Sequence, residues 1–144
     1  MGRLVIHTHG TPKEKAAKAL LEMYAQRLKA SGVKLDYHPS KQHVDAYVRR
    51  LLDLGGTVVL LDEGGEQMDS LTFARRVEEW QLSTETVHLA IGPAAGWPAN
   101  PELEAMERCS LSSMTFPHEL AAVMLAEQVY RATEILRGTG YHKA

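Results

Sequence analysis

The apolar positions of this chain keep changing period, from short continuous or alternating runs to helical spacing and back. Leu4-Val5-Ile6 is a short apolar run and predicts a strand. Thr11-Pro12-Lys13-Glu14 predicts a helix start, with Thr11 as cap, Pro12 in the first helical position and Glu14 closing a capping box. That helix is expected to reach Ser31 and stop at Gly32. Val33-Lys34-Leu35-Asp36-Tyr37 alternates as a strand does, and His38-Pro39 ends it. Val44, Tyr47, Val48, Leu51 and Leu52 recur at helical spacing up to Gly55-Gly56. Thr57 to Leu61 is continuously apolar after its first residue, as in a central parallel strand, and Asp62-Glu63-Gly64-Gly65 reads as a turn. Ser70 is expected to cap a helix ending near Gln81. Val87 to Ile91 predicts another buried strand, Gly92 to Gly96 a loop, and Asn100-Pro101 the start of a short helix. Cys109 to Leu111 predicts the last strand, and a long helix is expected from His118 to Arg137.

Five strands alternating with helices predict an α/β domain with a parallel sheet, and 144 residues suit one domain, 1–144. Ligands of such sheets sit at the carboxyl ends of the strands, here Leu61, Gly92 and Ser112. The 16 basic and 18 acidic side chains give a net charge of −2, so the totals do not indicate a strongly basic nucleic-acid binder, although a local basic patch remains open. No apolar run approaches the ~20 residues of a membrane span. The N-terminus shows no signal-peptide core, and Arg3 after Gly2 does not suit a myristoylation site. A lone cysteine, Cys109, excludes an internal disulfide, fits a reducing cytoplasm and is expected to be a buried, inert thiol.

His7 and His9 flank a strand end, yet no cysteine or carboxylate follows at metal-ligand spacing, so no metal site is expected. His38, His43 and His88 are expected to be structural or solvent-facing. Asp62 ends a central strand as a receiver-domain phosphoacceptor does, but the first strand carries His7-Thr8-His9 in place of an acidic pair. Gly92-x-x-x-Gly96 is neither a dinucleotide fingerprint nor a phosphate loop. Trp80 fits a helix core face, and Trp97 beside Gly96 either lines a pocket or covers the core.

The densest chemistry lies in the C-terminal third. It comprises Ile91-Gly92 with Gly96, then Ser110-Leu-Ser-Ser-Met-Thr-Phe-Pro-His118, then Ala126-Glu-Gln-Val-Tyr-Arg-Ala132, then Tyr141-His-Lys143. In this order and spacing these segments resemble the ribosomal RNA large-subunit methyltransferase H family. The likeness is strongest from Val58 to the C-terminus.

That resemblance implies a SPOUT-type parallel sheet flanked by helices with a C-terminal trefoil knot. It also implies a homodimer using S-adenosylmethionine and methylation of ring N3 of a pseudouridine in large-subunit ribosomal RNA. By the same resemblance, Leu61, Gly92, Gly96, Ser112, Ser113, Met114, Thr115, Phe116 and Pro117 hold the cofactor. His118, Arg131, Tyr141 and His142 serve the chemistry, with the tail reaching a substrate site across the dimer. Arg131 and Lys143, with Arg49 or Arg50, are expected to contact RNA. His118 or His142 is the expected base for the imide proton. A net acidic chain of this size is expected to act on the assembled ribosome rather than on naked RNA.

Two departures stand in the glycine loop. The family reads Ile-Gly-Gly-x-x-Gly, often with Glu before the last Gly, whereas this chain reads Ile91-Gly92-Pro93-Ala94-Ala95-Gly96. Pro93 lacks an N–H and Ala95 lacks a carboxylate. They motivate a second reading, a degenerate SPOUT dimer that binds or scaffolds without methyl transfer.

Overall fold

The computed structural model describes residues 3–143, so Gly2 lies outside the described residues. The strands are β1 (Leu4–His9), β2 (Val33–His38), β3 (Thr57–Gln67), β4 (Val87–Ala90) and β5 (Glu107–Ser110). The helices are α1 (Lys15–Leu28), α2 (Val44–Leu52), α3 (Ser70–Leu82), α4 (Pro101–Glu104) and α5 (His118–Arg137). All strands are parallel, in the order β2-β1-β4-β3-β5. The expected alternating α/β architecture with a parallel sheet is therefore observed.

Side-chain alternation along the strands builds a core on each face of the sheet. Ile6, Val59, Leu61, Leu89 and Ile91 point to one face and pack with Leu21, Phe73, Val77, Trp80 and Val129 from α1, α3 and α5. Leu60 and Ala90, one residue out of phase, point to the other face and meet Tyr47, Val48 and Leu51 of α2 and Leu103 of α4. Burial on both faces is why the central strands read as unbroken apolar runs.

Several boundaries move. The pattern predicts a helix start at Thr11-Pro12 with a Glu14 capping box, but α1 begins at Lys15 and Glu14 makes no side-chain cap. The capping carboxylate comes from α5 instead: Glu119 accepts from the backbone N–H groups of Lys13 (2.9 Å) and Glu14 (3.1 Å). Asp69, not Ser70, caps α3 by accepting from the Thr72 N–H at 2.7 Å, while the Ser70 hydroxyl donates to Gln128. The last strand spans Glu107–Ser110 rather than Cys109–Leu111.

The predicted turn at Asp62–Gly65 is a detour inside β3. The strand pairs Leu61 with Cys109, leaves the ladder, and returns to pair Glu66 with the same Cys109. Gly65 allows the return, since a Cβ there would stand 2.7 Å from the Arg108 carbonyl carbon. The detour holds Asp62 and Glu63 out at the sheet end, where they matter below. Among the described residues, no helix is long and apolar enough to cross a membrane.

Candidate functional site

The carboxyl ends of β3, β4 and β5 surround a cleft of about 320 Å³, near the lower end of the ~300–1,000 Å³ range of small-molecule pockets. Its floor is apolar, from Leu61 and Ile91 at the ends of buried strands. Trp97 forms a wall. Its indole N–H donates to the Leu61 carbonyl at 2.9 Å, and its ring stacks on Tyr47 at 6.0 Å between centroids. Trp97 thus both lines the cleft and covers the second core. Gly92 lies tight beneath it, because a Cβ there would sit 3.1 Å from the indole nitrogen.

The loop after β4 turns at Pro93–Gly96, where the Gly96 N–H donates to the Pro93 carbonyl at 2.8 Å. The loop after β5 is tied to itself and to the β3 detour. Ser110 donates to the Ser112 carbonyl (2.8 Å), Ser112 Oγ accepts from the Met114 N–H (3.1 Å), and Thr115 donates to the Glu63 carboxylate (2.6 Å). Asp62 is neutralised by Arg108 at 3.1 Å. Glu63 has no cationic partner among the described residues, so one cleft wall keeps a negative charge that suits a cationic ligand. His118 lines the cleft at the first turn of α5, half-buried, and makes no side-chain hydrogen bond with any other described residue.

A second cluster lies at the other end of α5. Arg131 donates to Glu127 at 2.7 Å, Tyr141 donates to the same carboxylate at 2.8 Å, and the guanidinium sits 5.0 Å from the Tyr141 ring centre. The hydrogen bond to Glu127 holds the Arg131 pKa above its ordinary value. Burial, with the Glu127 bond second, pushes the Tyr141 phenol up. Arg131 also contacts His142 Nδ1 at 3.1 Å. A guanidinium only donates, so Nδ1 is the acceptor in this contact.

Residues 3–142 match the family described as Predicted SPOUT methyltransferase. The chain is 36% identical over 143 residues to the Ribosomal RNA large subunit methyltransferase H of Sorangium cellulosum (strain So ce56), spanning 96% of this chain and 98% of that protein. It is 39% identical over 126 residues to the protein of the same name from Synechococcus sp. (strain CC9605), spanning 86% and 85%. The chain belongs to this SPOUT methyltransferase family. In fold it aligns over its whole length with TrmJ from Z. mobilis ZM4, covering 73% of that chain, with a TM-score of 0.55 at 10% identity.

In this SPOUT fold the cleft gathers Leu61, Gly92, Gly96, Ser112, Met114, Thr115, Phe116 and His118 from the expected set. Ser113 and Pro117 belong to the same loop but do not line it. Arg131, Tyr141 and His142 are not at the cleft of their own chain. Thirteen helical positions separate Arg131 from His118, ~20 Å at 1.5 Å per residue. The tail is ordered against α5 by its bonds to Glu127 and Arg131, with Lys143 exposed. Arg49 pairs with Asp53 and Glu102, leaving Arg50 as the freer cation of α2.

Sequence reasoning missed Glu63 and the indole–carbonyl bond of Trp97. Acidic residues directly after a buried central strand were the available signal. Cys109 is buried, and burial pushes its thiol up to about 11, consistent with an inert side chain.

Proposed function

We propose that this protein transfers a methyl group from S-adenosylmethionine to ring N3 of a pseudouridine in large-subunit ribosomal RNA. One observation supports the reading: two of the motif segments that mark the family, Ile91 to Gly96 and Ser110 to His118, meet Leu61 of β3 around one cleft at the sheet's carboxyl edge. The residues present fit the cofactor. Leu61, Ile91, Phe116 and Trp97 offer apolar walls for an adenosine, and the unpaired Glu63 carboxylate suits a sulfonium. When bound, the cofactor supplies an already activated methyl group.

The chain's own residues then have to orient and deprotonate. Alignment of two reactants in one cleft is worth ~7–11 kcal/mol of barrier. His118 is the better base of the two candidates, because it lines the cleft and its ring is uncommitted, whereas the His142 Nδ1 lone pair is taken by Arg131. Arg131, held by Glu127, acts as a positioning residue that fixes His142 and, with Lys143, meets the RNA.

The same reading includes a homodimer that carries the tail cluster of one copy to the cleft of the other. Much of the apolar surface of α5 is used inside the chain, since Val123 and Val129 are buried. Leu120 remains exposed, with half-buried Met124 one turn on along the same face, as the apolar surface available to a second copy. The C-terminal knot, a cytoplasmic location and action on assembled ribosomes belong to this proposal as well.

Calorimetry with S-adenosylmethionine, followed by mass analysis of ribosomal RNA from incubated large subunits and from isolated RNA, tests it. Binding plus a methyl gain on subunits, weaker on isolated RNA, is the expected result. Binding without any methyl gain refutes the transfer step. No binding at millimolar cofactor favours the scaffold reading, which Pro93 and Ala95 support by removing an N–H and a carboxylate from the glycine loop. A large gain in affinity on Pro93→Gly would mark that loop as the damaged element.

A further inference from the structure

On the α2 side of the sheet, three imidazoles form a chain of contacts that the methyl-transfer reading does not use. His7 Nδ1 lies 2.8 Å from His38 Nε2, and His7 Nε2 lies 2.8 Å from His88 Nδ1. His88 Nε2 reaches the Gly55 carbonyl at 3.1 Å. All three rings are buried, and none lines the cleft. Asp36 stands over the first pair, with Oδ2 at 3.7 Å from His7 Nδ1 and 3.8 Å from His38 Nε2.

The proton positions follow from one end. A carbonyl only accepts, so His88 Nε2 donates to Gly55 and His88 Nδ1 must accept. His7 Nε2 therefore donates to His88, and His7 Nδ1 is left with a lone pair facing His38 and Asp36. A metal-binding histidine characteristically donates its other N–H to a fixed acceptor, which orients the ring and raises its basicity. His7 already has that support.

We infer that His7 Nδ1, His38 Nε2 and Asp36 Oδ2 form a binding site for one zinc ion, bridging β1 and β2. The three atoms are 2.8, 3.7 and 3.8 Å apart, against roughly 3.3 Å between ligands of a tetrahedral zinc with ~2.0–2.1 Å bonds. Small side-chain movements close that difference. On binding, the His38 hydrogen moves from Nε2 to Nδ1 by exchange with water, both imidazoles stay neutral, and two N–metal bonds and one O–metal bond form. Two imidazoles and one carboxylate favour zinc-type ions over magnesium or calcium. The Asp36 side chain is 48% exposed, which gives the ion a way in and leaves a fourth position for water. Arg50 and His9 also face the cluster and oppose a cation. Both have somewhere to go: Arg50 is exposed, and His9 already bonds the Gln42 carbonyl.

Sequence spacing hid this site because it pairs His7 with His9, whereas the fold pairs His7 with a residue 31 positions away. Titrating the chelator-stripped full chain with Zn²⁺, by calorimetry and against a chromophoric chelator, tests the proposal. One ion per chain is expected, unaffected by Mg²⁺, with Co²⁺ giving the intense visible bands of a four-coordinate site. Asp36→Asn, at a half-exposed position outside the core, should weaken binding by ~10–100-fold, and His38→Gln by at least as much. His43→Ala, an exposed control, should leave it unchanged. Zinc should raise the melting temperature of the wild type more than that of Asp36→Asn at the same concentration. Binding that is substoichiometric, or that Asp36→Asn leaves intact, overturns the site.

Discussion

The two ends of α5 organise their polar groups differently. At its N-terminal end the cleft is walled by loops whose serine and threonine hydroxyls bond within the loop or to the β3 detour, leaving His118 uncommitted and Glu63 without a counter-charge among the described residues. At its C-terminal end Arg131, Glu127, Tyr141 and His142 satisfy one another almost completely. An unspent base and an unpaired charge mark a place prepared for a ligand. A closed network marks a rigid element prepared to be presented to something else, since ordered partners lose little freedom on docking.

The largest expected effect is at the cleft. His118→Ala should lower turnover by ~10²–10⁴-fold, the usual worth of a general base, while calorimetry shows cofactor affinity nearly unchanged. Gly92→Val should act in the opposite sense. Its side chain meets the Trp97 indole, whose nearest atom stands 3.1 Å from the first added carbon, and the overpacking should cost ~100-fold in cofactor affinity, or about 3 kcal/mol. Arg131→Lys keeps the charge but loses the fork that spans Glu127 and His142. A drop of ~10-fold in turnover is expected, with cofactor affinity unmoved. If Arg131→Lys weakens the cofactor as Gly92→Val does, the separation of the two ends is wrong. Light scattering on a Leu120→Lys variant should show a shift toward monomer and lost turnover, with the cofactor still bound.

The smallest effect is one of stability, at the N-terminal end of α5. Glu119→Ala removes the carboxylate that caps the approach to α1 and should cost ~1 kcal/mol in urea denaturation. Backbone N–H bonds from Lys13, then Glu14, hold the Glu119 pKa below the ordinary glutamate value. A depressed carboxylate stabilises the fold above its unfolded pKa and loses that contribution as pH falls through the folded value. The wild type should therefore lose stability faster than Glu119→Gln on acidification below about 4.5.

Much of this was written in the chain. Apolar runs at Thr57–Leu61 and Val87–Ile91 read as buried parallel strands, and the short segment from Ser112 to His118 carried five of the cleft's lining residues. Local period and local turn chemistry determine such features, because each depends on residues a few positions apart. Tertiary structure alone decided the rest. The detour of β3 exists because Glu66 and Leu61 share one partner in β5. The helix start near Lys13 is capped by a residue 106 positions away, and the histidine chain is assembled by strands and a loop that only sheet order makes neighbours. Sequence spacing measures distance along the chain, whereas caps, ligand sets and charge pairs depend on distance through space.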